Sequence, residues 1–463
     1  MPERRNVSLT YGSSTLELSV PASFMAGDVV QPRALPPRPR GEILAALQAT
    51  LEAPIGRPRL RELVRDRKVV VVISDEFRAG LHEVIIEALC VELAQGAPRE
   101  VVFICATGTH EPEVYCLRIG PWVDQHAGAA GLKYRFVAHS CDDPRLVPIG
   151  RSPMGTDVIL EPDFLDADVR VYGHESKHHY MNGYSVVDKQ VLPGISARRT
   201  VEMNHKRSLS DDSGPGRNPW HTEPGRQANP FAEDMRDIRM MAERTFRRAD
   251  GSLEQRRAET FALDMISDKD SLYWAASGDP DTICRLAVQK ADEQAQITVR
   301  RARYVLISPG GPPASQALYG VQNCFDMAMK GAVLPGGEVL VVAPCEGRPD
   351  LPPDVRGIAT SAGSKKLFWD TLVALKDRPI DECRQFIEDN FKLYMWKTFR
   401  VLKNYKDDRL TIHLHSKLGD DVVRQGGFVP VKDPQAWIDE RAARGDGLVH
   451  VIDNGNKTFI LGT

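Results

Sequence analysis

Three histidines and a lysine lie close together in the segment from Gly173 to Gly194, which reads GHESKHHYMNGYSVVDKQVLPG. Imidazole nitrogens can bind a metal or move protons near neutral pH, and a neutral lysine amine can form a covalent link. The segment follows the strand-like run DVRVYG and is interrupted by Gly183, so it is too broken to form one helix. These side chains could therefore be metal ligands, acid–base catalysts or members of a polar loop.

The residues His174, Glu175 and His178 spell H-E-x-x-H, the pattern with which zinc metalloproteases bind their metal. That pattern requires a helix long enough to hold both histidines on one face. The segment has no apolar helical periodicity, and the sequence does not identify a third zinc ligand. A match with two free positions also arises easily by chance. A zinc hydrolase is therefore kept only as an alternative, and the roles of His174 and His178 stay open.

The lysine of this segment, Lys189, has apolar residues on both sides. Apolar surroundings disfavour the charged ammonium form of an amine, and the neutral form is the one that a covalent attachment or a Schiff base requires. The alternative is a lysine whose stem packs along a hydrophobic surface. The apolar neighbours are Val186, Val187, Val191, Leu192 and Pro193.

Two further groups of candidate residues follow predicted strands, where open α/β sheets bind their ligands. Asp75 and Arg78 come just after Ser74 and could bind sugar hydroxyls and an anion, respectively. A helix cap and a surface arginine are the alternative for this pair. His110 lies just beyond Cys105 on a glycine-containing loop. Core packing explains a histidine there poorly, so a binding or catalytic role is favoured.

Short β-branched runs alternate with helical stretches through much of the chain, a pattern typical of parallel sheet covered by helices on both faces. The predicted class is therefore α/β, with two domains of largely parallel sheets flanked by helices. A helical region near 231–247 and 279–301 separates the halves, and a long loop at 207–230 precedes it. Strands are predicted at 68–74, 100–105, 303–308, 337–344 and 409–416, and helices near 82–95, 315–331 and 381–401.

Length and composition also restrict the class of protein. At 463 residues the chain is long for one core, so two domains are expected. A net charge of −3 without a dense Lys/Arg run gives no electrostatic case for nucleic acid or an anionic membrane. The N-terminus reads as a strand pair rather than a signal peptide, and no stretch approaches a transmembrane span. The eight scattered cysteines are expected to be reduced core thiols of a cytoplasmic protein.

The order of these motifs resembles that of the lactate racemase family, whose enzymes use a nickel-pincer nucleotide cofactor. The family carries an S-D-x-x-R segment, a T-G-x-H segment, and an H-x-x-x-G-[FY]-S-x-x-x-K-x-x-x-P-G segment that a further histidine follows. Its second domain has a strand followed by a Gly-Gly–Pro segment, and a late helix carries a tryptophan. This chain matches the motifs with Ser74, Asp75, Arg78, Thr107, Gly108, His110, His179, Gly183, Tyr184, Ser185, Lys189, Pro193, Gly194, His205, Gly310, Gly311, Pro313, Tyr319 and Trp396.

The resemblance implies a role for each matched site residue. Lys189 would carry the cofactor, the nickel complex of pyridinium-3,5-bisthiocarboxylic acid mononucleotide, through a thioamide link. His205 would be the protein ligand to nickel, whose other ligands would be two sulfurs and a ring carbon of the modified pyridinium. His110 and His179 would be the acid–base pair. Arg78 would hold or polarise the substrate, and Asp75 would support the nucleotide. Tyr319 and Trp396 would line the cofactor ring.

The resemblance also implies two domains with the cofactor site at their interface. Residues 1–298 are expected to form the cofactor-anchoring and catalytic domain, and residues 299–445 a C-terminal α/β domain. The last segment, 446–463, could end the second domain or return to pack on the first.

The implied function is a racemase or epimerase that inverts the hydroxyl-bearing C2 of a 2-hydroxy acid. The C–H bond there is only weakly acidic, and removing its hydrogen as hydride avoids a carbanion. The hydroxyl proton must leave in the same step, which suits a histidine with an ordinary pKa of about 6.5. The planar keto acid can take hydride back on either face, so a base on each side fits a racemase. The cofactor would perform the hydride chemistry while the protein supplies position and electrostatics.

Two departures from the family pattern are visible. Val186 and Val187 stand where the family commonly has Gly-Gly, which makes the loop near Lys189 bulkier and stiffer. Gly320 and Asn323 stand where lactate racemases place a glutamine and a lysine near the substrate. The loss of that cation argues against strict lactate specificity and favours a larger or differently held 2-hydroxy acid. Other residues that could contribute to holding it are Arg78, Gln322 and Lys330.

Two other functions stay open. A sugar-acid epimerase, or another redox or elimination enzyme, could use the same cofactor. A non-catalytic nucleotide-binding or cofactor-carrying protein could keep the binding residues, although a carrier has no need of two histidines and an arginine. The expected partners are a small 2-hydroxy acid and the cofactor-biosynthesis enzymes, with no nucleic acid and no membrane. The sequence does not indicate the oligomeric state.

Overall fold

The computed structural model describes residues 3–76, 80–268 and 270–463, and the chain divides into two compact units. Unit 1 comprises the residues up to Arg33 together with Ala295–Thr463. Unit 2 comprises Ala34–Gln294.

Strands and helices alternate through both units. The strands are β1 Arg4–Tyr11, β2 Ser14–Pro21, β3 Lys68–Ser74, β4 Glu100–Ala106, β5 Tyr134–Ala138, β6 Val147–Arg151, β7 Asp157–Leu160, β8 Val169–Glu175, β9 Lys177–His179, β10 Gly183–Ser185, β11 Thr245–Arg247, β12 Leu253–Gln255, β13 Glu259–Asp268, β14 Ser271–Gly278, β15 Gln296–Val299, β16 Ala302–Ile307, β17 Val333–Val342, β18 Thr411–His415, β19 Val429–Pro430, β20 Val449–Ile452 and β21 Phe459–Gly462.

The helices vary from single turns to four turns. They are α1 Arg40–Glu52, α2 Leu60–Leu63, α3 His82–Gly96, α4 Pro112–Tyr115, α5 Ile119–Ala129, α6 Pro162–Leu165, α7 Asp188–Val191, α8 Arg198–His205, α9 Pro230–Glu243, α10 Pro280–Ala295, α11 Leu318–Val321, α12 Lys330–Ala332, α13 Ala362–Ser364, α14 Thr371–Leu375, α15 Ile380–Asp389, α16 Met395–Lys406, α17 Asp420–Gln425 and α18 Pro434–Arg444. Within the described ranges, every helix is too short or too polar to span a bilayer.

The main sheet of unit 2 has the strand order β14-β13-β8-β3-β4-β5 and is parallel except where β13 pairs with β14. Its central strand β3 is the apolar run KVVVVIS, and Val69–Ile73 are buried on both faces. Such a strand needs cover on both sides. On one side, alternate residues of β3 lie in one core cluster with Leu47 of α1 and Leu89 of α3. The antiparallel pairs β6–β7, β9–β10 and β11–β12 lie outside this sheet.

The sheet of unit 1 has the strand order β19-β18-β17-β16-β20, and its pairings are parallel. The β1–β2 hairpin belongs to this unit because Val7 and Leu9 are buried in one cluster with Tyr304 of β16. The N-terminal residues therefore differ from the prediction, which placed them in a domain of residues 1–298. The segment 446–463 also lies in unit 1, where β20 pairs with β16 and β21 with β15.

The predicted α/β class with largely parallel sheets is confirmed, and a strand is present at each predicted position. The predicted helix over 381–401 is instead two helices, α15 and α16. Tyr394, just before α16, has a left-handed backbone with φ of 80°, which an α-helix cannot continue through. The predicted helix over 315–331 is likewise divided into α11, a π-helical turn at Phe325–Met329, and α12.

The eight cysteines are buried, and they are free thiols in the part of the chain that the structure describes. This agrees with the predicted reduced core thiols. Burial raises the pKa of Cys90 to about 12 and that of Cys141 to about 11. Thiols in such surroundings stay protonated and are poor nucleophiles.

A fully buried carboxyl group lies on β13 at Asp264. Its Oδ2 accepts a hydrogen bond from Ser176 Oγ at 2.6 Å, and its Oδ1 accepts one from Met265 N at 2.8 Å. Burial raises the pKa of Asp264 to about 7, and nearby Glu175 raises it further, while the hydrogen bonds oppose the shift. The native protein therefore keeps this proton at a pH where an unfolded chain would have lost it.

This shift predicts how the stability of the protein depends on pH. Between about pH 4 and pH 7 the unfolded carboxyl group is ionised while native Asp264 holds its proton, so the free energy of unfolding falls as pH rises. The loss from this group is up to about 4 kcal/mol. Asp264→Asn, which retains an acceptor and a donor, should remove the part of the decline in unfolding free energy that the Asp264 carboxyl group causes. Urea unfolding of both proteins between pH 4.5 and 8 measures it, and equal pH slopes would contradict the assignment.

Candidate active site

Three adjacent parallel strands bring the candidate segments of unit 2 to one edge of its sheet. β3 pairs with β8 on one side and with β4 on the other. Asp75 directly follows β3, the loop with His110 follows β4, and the β9–β10 hairpin with His179 follows β8. Because parallel strands have their carboxyl ends at the same edge, these segments share the position where such sheets bind ligands.

The carboxylate of Asp75 is hydrogen-bonded to the ring of His110. The distance between Asp75 Oδ2 and His110 Nδ1 is 2.6 Å, and the two side chains are 3% and 37% exposed, respectively. A carboxylate accepts this bond, so Nδ1 carries the hydrogen and the neutral ring has its lone pair on Nε2. His110 is thereby oriented as a proton acceptor at Nε2. The expected role of Asp75 in supporting the nucleotide stays a prediction, and its contact with His110 is an additional role that the sequence did not indicate.

The second predicted acid–base residue, His179, has the opposite arrangement. It ends β9, and its Nδ1 accepts hydrogen bonds from the backbone N–H groups of Met181 and Asn182 at 3.3 and 3.2 Å. The neutral ring therefore carries its hydrogen on Nε2 and can donate it. The ring also stacks on Tyr180 with a centroid distance of 4.8 Å. One edge of the sheet thus carries one histidine set to accept a proton and one set to donate.

The turn of this hairpin requires glycine at position 183. Gly183 has φ of +72°, and a Cβ added there would lie 1.9 Å from the carbonyl oxygen of Arg217. Only glycine adopts this conformation without strain and tolerates such a close approach. Gly183 also pairs with His179 across the two strands.

Lys189 lies in the single turn α7 and is only 9% exposed. Its neighbours Val186 and Val187 are fully buried, so the apolar surroundings expected from the sequence are present. Gln190 attaches this turn to the sheet edge, because its Nε2 donates to Gly173 O at 2.6 Å and to Ser74 Oγ at 3.2 Å. The turn that carries Lys189 is therefore held close to the ends of β3 and β8.

A buried ion pair fixes the residue before this lysine. Arg239, which is fully buried, donates from Nε to Asp188 Oδ1 at 2.6 Å and from Nη1 to Glu243 Oε1 at 2.7 Å. Trp220 Nε1 donates to Asp188 Oδ2 at 2.7 Å. Both carboxylate oxygens of Asp188 are thus satisfied, as a buried charge requires. The sequence carried no signal for Arg239 or Trp220 as partners of α7.

His205, the predicted nickel ligand, is buried at the end of α8. Its Nδ1 donates to the carbonyl oxygen of Val201 at 2.8 Å, which leaves the lone pair of the neutral ring on Nε2. Burial lowers the pKa of His205 to about 3, and the charge of nearby Lys189 lowers it further, against the hydrogen bond to Val201. The ring therefore stays neutral at working pH, which is the form that ligates a metal.

The helix that carries His205 is anchored by its preceding residue. Asn204 Nδ2 donates to Asp234 Oδ2 at 3.1 Å and to the carbonyl oxygen of Phe231 at 3.1 Å. Asp234 is fully buried and also accepts from Ser152 Oγ at 2.6 Å. The predicted tether Lys189 thus follows the buried Asp188, and the predicted metal ligand His205 follows Asn204, which is bonded to the buried Asp234. The two residues are near enough for the charge of Lys189 to act on the His205 ring.

The H-E-x-x-H pattern lies on extended backbone. His174 and Glu175 end β8, and His178 is in β9, so no helix presents the two histidines on one face. Within residues 3–76, 80–268 and 270–463, no group of three or more His, Cys, Asp or Glu side chains is placed to hold a metal ion. His174, Glu175 and His178 therefore lack the helix that the zinc-protease pattern requires. His174 Nε2 lies 3.4 Å from Ser185 Oγ, and His178 Nε2 donates to Asp292 Oδ1 at 2.8 Å.

The predicted aromatic residues Tyr319 and Trp396 lie in unit 1, at the starts of α11 and α16. Both rings pack against Tyr394, with centroid distances of 5.8 and 5.9 Å. The structure thus brings these two aromatic residues into one cluster. Their role in lining a cofactor ring stays a prediction.

A buried lysine that the sequence did not single out belongs to the same cluster. Lys397 Nζ donates to the carbonyl oxygen of Tyr319 at 2.7 Å and to Asn323 Oδ1 at 2.8 Å, and it lies 4.0 Å from the centroid of the Tyr319 ring. Burial lowers the pKa of Lys397 to about 7, although Asp326 opposes the shift. A buried amine therefore contacts Asn323, one of the two positions at which a departure from the family pattern is expected. Only the neighbouring Trp396 could have drawn attention to it.

The other residues considered for the substrate anion have different surroundings. Arg78 lies outside the described residues, so its role stays a prediction. Gln322 Nε2 donates to Asp326 Oδ2 at 2.9 Å, and Lys330 Nζ lies 3.8 Å from Asp326 Oδ1. Arg400 Nε also donates to Asp326, at 2.7 Å. Gln322 and Lys330 thus both contact the buried carboxylate of Asp326.

Sequence comparison identifies relatives of the chain. Residues 11–216 match the family described as the lactate racemase N-terminal domain. The chain is therefore similar to the lactate racemase family over its N-terminal part. The lactate racemase of Lactiplantibacillus plantarum is 24% identical to it over 341 residues, which cover 73% of this chain and 74% of that protein. The lactate racemase of Thermoanaerobacterium thermosaccharolyticum is 24% identical over 349 residues, with coverage of 73% and 74%.

Solved structures of similar fold include a lactate racemase. The lactate racemase apoprotein from Thermoanaerobacterium thermosaccharolyticum superposes with a TM-score of 0.75 at 19% identity, and the match covers 98% of this chain and 100% of that one. A crystal structure of a protein from Thermotoga maritima matches with a TM-score of 0.60 at 15% identity and covers 93% and 100%. At these identities the likeness concerns the fold, and it supports the α/β architecture described above.

The requirement for glycine at position 183 predicts a large effect of a small substitution. Gly183→Ala should destabilise the protein by more than about 2 kcal/mol, because a left-handed backbone and a backbone clash act together. Gly225→Ala is the matched control, since a Cβ at Gly225 meets nothing within 4 Å; it should change stability by less than about 0.5 kcal/mol. Thermal and urea unfolding compare the two variants, and equal stabilities would contradict the described turn.

Proposed function

We propose that the protein is a nickel-pincer-nucleotide-dependent racemase or epimerase that inverts C2 of a 2-hydroxy acid. The match to the lactate racemase N-terminal domain and the similarity to two lactate racemases support a racemase, and therefore an isomerase. The observation that carries the finer proposal is the pair of histidines at one sheet edge, with His110 set to accept a proton and His179 set to donate one. Inversion needs both capacities, one for each face of the substrate carbon.

The residues of α7 and α8 fit the proposed cofactor. His205 is a neutral imidazole with its lone pair on Nε2, the chemistry of a nickel ligand. Lys189 offers a buried amine near it for a covalent link. Val186 and Val187, which replace the glycines of the family, are fully buried, so their bulk is accommodated inside unit 2. When bound, the nucleotide would supply hydride chemistry at the substrate C2 carbon.

The protein's own residues would handle the proton of the substrate hydroxyl. His110 Nε2 would accept that proton, and Asp75, bonded to Nδ1, would stabilise the resulting imidazolium. Loss of the proton and of the C2 hydrogen leaves a planar keto acid. His179 Nε2 would give its proton to the carbonyl oxygen as the hydrogen returns to the opposite face. His110 would then release its extra proton to solvent, and His179 would regain one from solvent, which restores the starting state. For the other enantiomer the same proton movements would run in reverse, with His179 Nε2 accepting a proton after it has given up its own.

The substrate is proposed to be a 2-hydroxy acid that is not strictly lactate. Asn323 replaces a lysine of lactate racemases, and its Oδ1 accepts from Lys397 Nζ. The amine of Lys397, on α16, therefore lies beside this position. Gly320, which replaces a glutamine, has no side chain to contact a substrate. These two replacements favour a larger hydroxy acid, including a sugar acid, and a sugar-acid epimerase is the second candidate.

The non-catalytic alternative is not favoured by the polar contacts of the site. A carrier needs groups that bind a nucleotide, but it does not need a histidine oriented by a buried carboxylate. The bond between Asp75 and His110 therefore supports an enzyme. We further propose that the enzyme acts in the cytoplasm and receives its cofactor from the cofactor-biosynthesis enzymes.

The central experiment is production of the chain together with the cofactor-making enzymes. The purified protein should contain about one nickel per chain and should show a covalent mass increment on the peptide that contains Lys189. The Lys189→Arg variant is the control, since it keeps the charge but cannot form the link. The loaded protein should invert at least one member of a broad panel of 2-hydroxy acids. Loaded protein that inverts none of them would rule out the racemase.

The fate of a deuterium label at substrate C2 separates the possible reactions. Hydride transfer retains the deuterium in the product without exchange with solvent. A carbanion route would instead exchange it rapidly. Mass spectrometry of substrate and product at early times distinguishes these outcomes.

The contact between Asp75 and His110 predicts a loss of turnover on substitution. Asp75→Asn should lower kcat by about 100-fold, because the amide cannot stabilise a charged imidazolium. Glu83→Gln is the matched control, since Glu83 Oε1 lies 3.2 Å from His126 Nε2 in a partly exposed pair on the helices. Steady-state rates and melting temperatures should be measured for both variants. A variant Asp75→Asn with full activity would show that His110 does not need its carboxylate.

A further inference from the structure

Five side chains form a polar cluster beside the β9–β10 hairpin, here called the Asp292 cluster. Asp292 Oδ1 accepts hydrogen bonds from His178 Nε2 at 2.8 Å and from the Tyr184 hydroxyl at 2.6 Å. Asp292 Oδ2 accepts from His221 Nε2 at 3.1 Å and lies 2.9 Å from Nη1 of Arg226. One carboxylate is thus bonded to four donors.

The members of the Asp292 cluster come from separate elements of unit 2. Asp292 is on α10, His178 is on β9 and Tyr184 is on β10. His221 and Arg226 come from the long loop between α8 and α9. The carboxylate therefore ties both strands of the hairpin and the loop to one helix. Strands of three residues are marginal on their own, so the hairpin depends on such contacts for its position.

The register of the hairpin relates the Asp292 cluster to the proposed catalytic residue. His178 and Tyr184 are direct partners across the two strands, and His179 and Gly183 are the next pair. Successive residues of a strand point to opposite faces. Asp292 therefore holds one face of the hairpin, and His179 lies on the other.

The charge of Asp292 makes this attachment strong. Burial alone would raise the pKa of Asp292, but the hydrogen bonds from His178 and His221 hold it well below its ordinary value. Burial lowers the pKa of His178, so that ring is a neutral donor. His221 Nδ1 accepts from the backbone of Glu223 at 2.9 Å, so its hydrogen is on Nε2, facing Asp292. Hydrogen bonds to a charged acceptor are stronger than those between neutral groups.

We propose that Asp292 is a positioning residue for His179. By holding the opposite face of the hairpin, it sets the direction in which the His179 ring exchanges protons. The inference rests on the proposed function, which makes His179 an acid–base catalyst. Asp292 would act only through the hairpin, without contacting substrate or cofactor.

The test begins with Asp292→Asn in the full-length holoenzyme. The substitution preserves size, but one oxygen becomes an NH₂ group that cannot accept from the donors around it. The expected result is a fall in kcat of about 10- to 100-fold with a smaller change in KM. In a His179→Ala background the same substitution should cause no further loss of turnover, because it would act through a missing residue.

A spectroscopic measurement follows the His179 ring without relying on activity. The full chain is labelled with ¹⁵N-histidine, and the His179 signals are assigned from their absence in His179→Gln. Asp292→Asn should shift or broaden the His179 Nδ1 and Nε2 resonances. Glu293→Gln is the matched control. Glu293 is the next residue along α10, and its side chain contacts Lys290 and Tyr273 and does not belong to the Asp292 cluster. It should leave the spectrum and the turnover unchanged.

The possible results separate this inference from the proposed function. Unchanged His179 resonances in Asp292→Asn, or an equal loss of turnover with and without His179, would overturn the positioning role. Displaced resonances in a protein that inverts no 2-hydroxy acid would support the structural part and count against the proposed function alone. If Asp292→Asn does not fold, His178→Gln, which keeps a donor, should retain the wild-type His179 signals while His178→Leu should not. Equal spectra of these two variants would also overturn the positioning role of Asp292.

Discussion

The parallel pairing of β8, β3 and β4 is the constraint on which the candidate active site of unit 2 depends. Their carboxyl ends lie at one edge, so Asp75, His110 and His179 occupy neighbouring segments although they are far apart in the chain. A slip of one residue in any pairing would turn alternate side chains to the other face of the sheet. The central strand β3 is apolar and buried on both faces, so it needs cover on both sides of the sheet.

Four aspartates, three of them buried and Asp292 partly buried, attach the functional segments to the rest of unit 2. Asp75 orients His110, Asp188 fixes the turn with Lys189, Asp234 anchors the end of α8, and Asp292 is bonded to both strands of the β9–β10 hairpin. A buried charge is costly unless donors surround it, so each aspartate requires its partners in a defined place. Segments with little regular structure thereby acquire positions as definite as those of the strands.

The sequence predicted the strands well because continuous β-branched runs have few alternatives to a buried strand. It predicted long helices less well: the left-handed residue Tyr394 interrupts one of them, and tyrosine carries no local signal for that conformation. The H-E-x-x-H pattern misled for a related reason, since a residue pattern does not specify whether its backbone is helical or extended. Lys397 and Asp292 were missed because their importance lies in contacts with distant segments.

The sequence by itself determined the α/β class, the order of the family motifs and the glycine at position 183, because these depend on local periodicity and backbone sterics. Only the tertiary structure decided the proton positions on His110 and His179, since each depends on the group that faces one ring nitrogen. It also decided the low pKa of His205, which arises from burial and from the nearby charge of Lys189. Desolvation and contacts between distant residues have no counterpart in the order of amino acids along the chain.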